Sequence, residues 1–153
     1  MNKITITFLF VFIFSNSLIA QLVVGENASV TVAENASITV AGLEVHPNSN
    51  MVISGPNSID RNLTSISIDG AESMARHYTV SENLSSYSGS IVYNYTDDDM
   101  NGISHFAAMQ VLDSADGMWM NYADEDEVDY SVTHSFENAV EIHSVTANDA
   151  TLS

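Results

Sequence analysis

Residues 26–41 read ENASVTVAENASITVA, an eight-residue unit written twice with one change, Val30 to Ile38. Each copy alternates apolar and polar side chains, Val30-Thr31-Val32 and Ile38-Thr39-Val40. A period of two is the pattern of a strand with one buried face. The Glu-Asn-Ala-Ser portion supplies turn chemistry, because Asn and Ser side chains bond nearby backbone and Asn tolerates positive φ. Weaker echoes follow in NSNMVI (48–53) and NLTSISI (62–68), punctuated by Pro47, Gly55 and Pro56. Such a run predicts one of two arrangements. Either the units stack as β-rungs that cover each other's apolar faces, or they form a meander whose first strands look alike by duplication.

From about residue 72 the texture changes. HYTV (77–80), GSIVYNY (89–95), FAAMQVL (106–112), GMWMNY (117–122), VDYSVTH (128–134) and AVEIHSV (139–145) are strand-like runs at a cadence of about ten residues. Gly, Asn, Asp or Ser separates each from the next, and no long amphipathic helix is apparent. The expectation is an all-β chain: a repetitive β-rung or meander region over residues 21–71, then an antiparallel immunoglobulin-like β-sandwich over 72–153.

The first twenty residues, MNKITITFLFVFIFSNSLIA, place one Lys before an apolar run and end on a small residue. That is the form of a secretory signal peptide, and the apolar run is shorter than the roughly 20 residues a membrane span needs. Beyond it only Arg61 and Arg76 are basic, against 20 Asp and Glu in the chain. A surface of that sign repels phosphate backbones and anionic membranes, so nucleic-acid binding and membrane insertion after leader removal are not expected. The chain has no cysteine, so no disulfide staples the fold despite the exported setting. Stability must come from a buried core.

RHYTV, SGSIVYNYTDDDMNG and DGMWMNY, taken together over residues 76–122, resemble a β-sandwich module of secreted Bacteroidetes surface proteins exported by type IX secretion. Arg76, Tyr78, Tyr93, Tyr95, Asp98, Asp99, Met100, Asn101, Gly102, Asp116, Gly117 and Trp119 carry the resemblance. The resemblance implies surface display, adhesion or spacing between domains, and it implies no catalytic residues. Such relatives end in a sorting domain, whereas this sequence stops at ATLS. It is therefore read as a piece of a larger surface protein or as a free module.

Two sets of residues invite a ligand. Asp97, Asp99 and Asn101 alternate before Gly102, like the opening of a calcium loop of the D-x-[DN]-x-[DN]-G kind. A calcium loop between two helices also needs a bidentate Glu at its twelfth position, which here is Ala108, and its flanks here read as strands. What remains is a looser calcium site in a β-loop, set against a strand-ending Asn-Gly turn. A second acidic run, ADEDEVD (123–129), can share a cation only if the fold brings it to Asp97–Asp99. Trp119 and Tyr122 are the candidates for a glycan-binding aromatic platform, set against core packing. The histidines lack HExxH spacing and the serines lack a G-x-S-x-G elbow, so an enzyme is not expected. The sequence thus points to a secreted or cell-surface structural or adhesive module without catalytic activity. The alternative is a carbohydrate-binding module stabilised by calcium, and the expected partner is an extracellular glycan or surface protein.

Overall fold

The computed structural model describes residues 21–113 and 117–150, so the leader assigned to residues 1–20 lies outside the described part. The described residues are all-β with antiparallel pairing throughout, and the one helical element among them is a 3₁₀ turn at Asp97–Asp99. Three short strands run outward, β1 (Gln21–Val24), β2 (Ser29–Val32) and β3 (Ile38–Val40). Three run back, β4 (Leu43–Pro47), β5 (Met51–Ser54) and β6 (Asn57–Asn62). Their pairing is nested: β3 with β4, β2 with β5, β1 with β6.

The two copies of the repeat are β2 and β3, laid end to end on the outward leg, and each pairs with the return leg. The repeat thus builds a kinked two-stranded ribbon rather than a stack of its own copies. An even period explains how one face stays buried. Val24, Val32 and Val40, eight residues apart, are 3%, 5% and 6% exposed. Between them, Ala28 N–H bonds Gly25 O and Ala36 N–H bonds Ala33 O, at 3.1 and 3.0 Å. Asn27 and Asn35 occupy the third position of these turns with φ of 59° and 62°. A type II turn requires positive φ there, and Asn is the residue other than Gly that takes it most readily.

The return leg lies along β9 (His77–Asn94), β4 on its Gly89–Tyr93 part and β6 on its His77–Val80 part. Strands from before and after residue 71 therefore share one hydrogen-bonded sheet. The other edge of β9 carries β12 (Ser131–Asp149), followed by β10 (Ala107–Leu112) and β11 (Trp119–Tyr122). A small hairpin, β7 (Ser67–Ile68) with β8 (Ala71–Glu72), links the ribbon to β9.

β9 does not run straight. In a straight strand Tyr78 and Tyr93 would stand about 50 Å apart, at ~3.3 Å per residue. Their rings instead meet edge to face with centroids 5.9 Å apart. The strand therefore doubles back, and β12 follows it through register shifts between Phe136 and Val140, Val140 and Ile142, and Ile142 and Ser144. Extra residues of this kind bend a strand and sharpen its twist. One folded sheet thus encloses the core, in which Leu43, Val45, Ile59, Tyr78, Ile91, Tyr93, Met109, Val111, Val132 and Val145 are fully buried.

At the closure sits Gly42, with φ of 103°. A Cβ there would lie 3.0 Å from the Arg76 guanidinium and 3.1 Å from the Tyr78 hydroxyl. Gly42→Ala is expected to lower the unfolding free energy by about 2–4 kcal/mol, combining backbone strain with crowding. Gly70→Ala is the control, because Gly70 has φ of 88° but open space around it. Urea unfolding of both variants checks this, and equal losses would show that crowding at Gly42 contributes nothing.

Candidate functional site

The acidic stretch after Tyr95 is shaped by the end of β9. Ile91 and Tyr93 alternate inward and Tyr95 continues that face, all three buried. The chain then makes its 3₁₀ turn, and Asn101 and Gly102 with φ of 50° and 82° carry it away from the strand. Asp99 ends up inside, 5% exposed.

Each calcium candidate faces a different protein partner. Asp99 Oδ2 lies 2.7 Å from Arg76 Nη2. The same oxygen accepts bonds from the Thr96 backbone N–H at 2.8 Å and the Thr96 hydroxyl at 2.6 Å. Asn101 Nδ2 donates to Ser73 O at 3.0 Å. Asp97 accepts from the Tyr130 hydroxyl at 2.9 Å. Asp99 and Asn101 are thus occupied in holding the chain. Among the described residues no group of three or more His, Cys, Asp or Glu is placed to hold a metal ion.

Arg76 is the hub of this region. Its Nη1 donates to Asn94 O at 2.8 Å. Its own carbonyl accepts from the Tyr93 hydroxyl at 2.8 Å and the Thr146 hydroxyl at 2.7 Å. Tyr78 donates to Ala41 O at 2.7 Å, and Ala75 N–H bonds Asp99 O at 2.7 Å. Asn94 donates its side-chain amide to Gly42 O and Glu44 Oε1, each at 3.1 Å. Arg76, Tyr93, Asp99 and Asn101, residues from distant sequence positions, therefore converge where β9 folds back. Asp116, grouped with them in the sequence, lies outside the described residues.

The loop of residues 123–129 does come beside the Asp97 turn. Tyr95 N–H bonds Tyr130 O at 3.0 Å, and the Tyr130 hydroxyl reaches Asp97. This hydroxyl contact is made by Tyr130, the residue just after the acidic run. The loop also lies along the first part of β12, where Glu125 N–H bonds Thr133 O and Asp124 Oδ1 accepts from Thr133 N–H. His134 closes the contact with Glu125 at 3.2 Å.

Trp119 and Tyr122 do not form a shared platform. They stand three residues apart on β11, so alternation sends them to opposite faces of the strand. Tyr122 packs on His134 and Phe136, with ring centroids 4.7 and 5.0 Å away. Trp119 is half-buried opposite Leu112.

Sequence reasoning missed a cavity of about 420 Å³ lined by His105, Phe106, Ala107, Ala123, Asp124, Glu127, Asp129 and Ala150. Phe106 reads as the first residue of a strand, yet β10 begins at Ala107 and leaves Phe106 78% exposed. His105 beside it is fixed by the Tyr95 hydroxyl at 3.1 Å and by the Tyr130 ring, with centroids 4.9 Å apart. No sequence signal joins these residues, because β12 and the acidic loop bring them together.

The described residues define an all-β protein built on one eight-stranded antiparallel sheet with two two-stranded pairs beside it, locked by a buried ion pair. Comparison with protein-family models, with curated proteins and with solved structures found no match to this chain. No helix among the described residues is long and apolar enough to cross a membrane.

Removing one member of a buried, hydrogen-bonded ion pair strands its partner and typically costs about 3–5 kcal/mol. Arg76→Met and Asp99→Ala are each expected to fall in that range in chemical denaturation. The double variant Arg76→Met/Asp99→Ala should lose clearly less than the sum, and simple additivity would show that the pair is not coupled.

Burial pushes the phenols of Tyr78, Tyr87 and Tyr93 above their ordinary value. Folded, they hold protons that the unfolded chain gives up near pH 10, so their contribution is complete below about pH 10 and is lost above it. Absorbance at 295 nm during alkaline titration should show these three ionising together with loss of β-sheet signal. Smooth independent titration of all six tyrosines about pH 10, before any unfolding, would contradict this burial.

Proposed function

We propose that this chain is a structural or adhesive β module that acts outside the cell by display and contact. The observation that carries the reading is the use to which its conspicuous polar residues are put. Arg76, Asp99, Asn94 and Asn101, which would be the first candidates for chemistry, are bound to backbone and to one another. They act as a lock on the fold. Residues spent in this way hold a shape for presentation.

Three further features support the reading. The leader-like first twenty residues suit export, and the absence of cysteine makes the fold independent of redox conditions once outside. The acidic surface resists nonspecific association with other acidic surfaces. The resemblance of residues 76–122 to modules of Bacteroidetes surface proteins adds the expectation of display as part of a larger assembly.

The test is made in a Bacteroidetes host carrying the tagged gene. The protein is expected in the outer-membrane or culture-supernatant fraction, and purified protein immobilised on beads is expected to retain host or microbial cells above an albumin control. Retention in the cytoplasm together with no bead binding would overturn the proposal.

A further inference from the structure

The cavity beside Phe106 has an unusual combination of walls. Phe106 stands 78% exposed at one side, and Ala107, Ala123 and Ala150 offer methyl groups. Asp124, Glu127 and Asp129 line the rest together with His105. Of the three acids, Asp124 is committed to the Thr133 and Asp126 backbone N–H groups. The carboxylates of Glu127 and Asp129 make no hydrogen bond or ion pair with the described residues. Two carboxylates without a hydrogen-bond partner among the described residues thus flank an apolar, partly aromatic hollow.

The hollow is held in place from several sides. Ala150 N–H bonds Phe106 O at 3.0 Å, extending the β10–β12 ladder to the rim. Phe106 N–H is turned toward the Ser104 hydroxyl at 3.3 Å. Across the loop, Tyr130 bonds Asp97 and meets the His105 ring edge to face, fixing the chain next to Asp129. The site is therefore built by the same contacts that close the fold.

We propose that this cavity receives an arginine or lysine side chain presented by another protein. Long basic side chains combine an apolar stem with a charged head, and they bury the first while keeping the second paired. Here the alanine methyls and the Phe106 ring meet the stem, and Glu127 and Asp129 meet the head. An exposed aromatic face adds cation–π attraction. A volume near 420 Å³ accommodates one such side chain with part of its backbone. A neutral sugar fits less well, because most of the apolar wall has no hydrogen-bonding groups to offer its hydroxyls. The partner is thus a basic segment of a second protein. The assignment rests on the adhesive reading for its biological setting, but its test does not depend on where the chain resides.

The experiment is a two-dimensional NMR titration of the folded protein with Gly-Arg-Gly, Gly-Lys-Gly and Gly-citrulline-Gly, the last being an uncharged arginine look-alike. Saturable shifts are expected at His105, Phe106, Ala107 and Ala123 with the first or second peptide, and at least a tenfold weaker response with the third. Glu127→Gln/Asp129→Asn should remove the localised response, and Phe106→Ala should weaken it at least threefold. Both sets lie on exposed chain, and preserved spectra elsewhere will show that the variants stay folded. Shifts spread over the whole acidic surface, an equal response to citrulline, or preference for glucosamine over both basic peptides would overturn the assignment. If the bead assay succeeds while these variants adhere unchanged, the cavity proposal falls and the adhesive reading stands.

Discussion

The Arg76–Asp99 pair is the constraint around which the rest of this protein is arranged. Burying two charges is expensive, and their attraction offsets that cost only if their other hydrogen-bonding positions are filled. Here most are filled, from several directions, and of the pair's side-chain atoms only the Arg76 Nε is buried without a partner among the described residues. Thr96 supplies two donors to Asp99, Asn94 supplies a carbonyl to Arg76, and the backbone of Arg76 holds Tyr93 and Thr146. These partners come from the end of β9, from the turn after it and from β12, while Arg76 itself stands just before β9. The pair can be satisfied only when β9 has doubled back, so the network selects the folded-over sheet from the other ways of pairing the same strands. In a chain this acidic, placing one of its few cations in the interior is a specific use of a scarce charge.

The sequence made the strands legible and left their partners hidden. Period-two alternation located β2, β3 and the Ile91–Tyr93–Tyr95 face, because alternation is a local property of a half-buried strand. Nested pairing was not legible, since which strand lies beside the repeat is decided by the return leg and by β9. The acidic motif was visible for the same local reason, and its roles were not. Asp99 reads as a calcium ligand until Arg76, more than twenty residues earlier, is seen to occupy it. The Trp119–Tyr122 pair illustrates the opposite case, because strand parity alone separates the two side chains.

The loop of residues 123–129 has a further physical effect. The first part of β12 would otherwise offer free N–H and C=O groups to any passing strand, the usual route to edge-to-edge association. Asp124 and Glu125 take up those groups at Thr133 and surround the edge with carboxylates. Like charge on a second copy is repelled from the same place. Sheet termination and like-charge repulsion are thus supplied by one segment.

The nested ribbon also limits how a gene of this kind can change. Because β2 pairs with β5 and β3 with β4, copying the eight-residue unit once more would add a strand that has no counterpart on the return leg. The return leg is itself measured against β9, whose ends are pinned together by the buried pair. Growth by simple duplication is therefore blocked unless matching insertions arise at two distant positions together. In a stacked solenoid an extra copy merely lengthens the array. Here copy number is coupled to the geometry of the whole molecule, and the repeat is fixed in length by the strands it must meet.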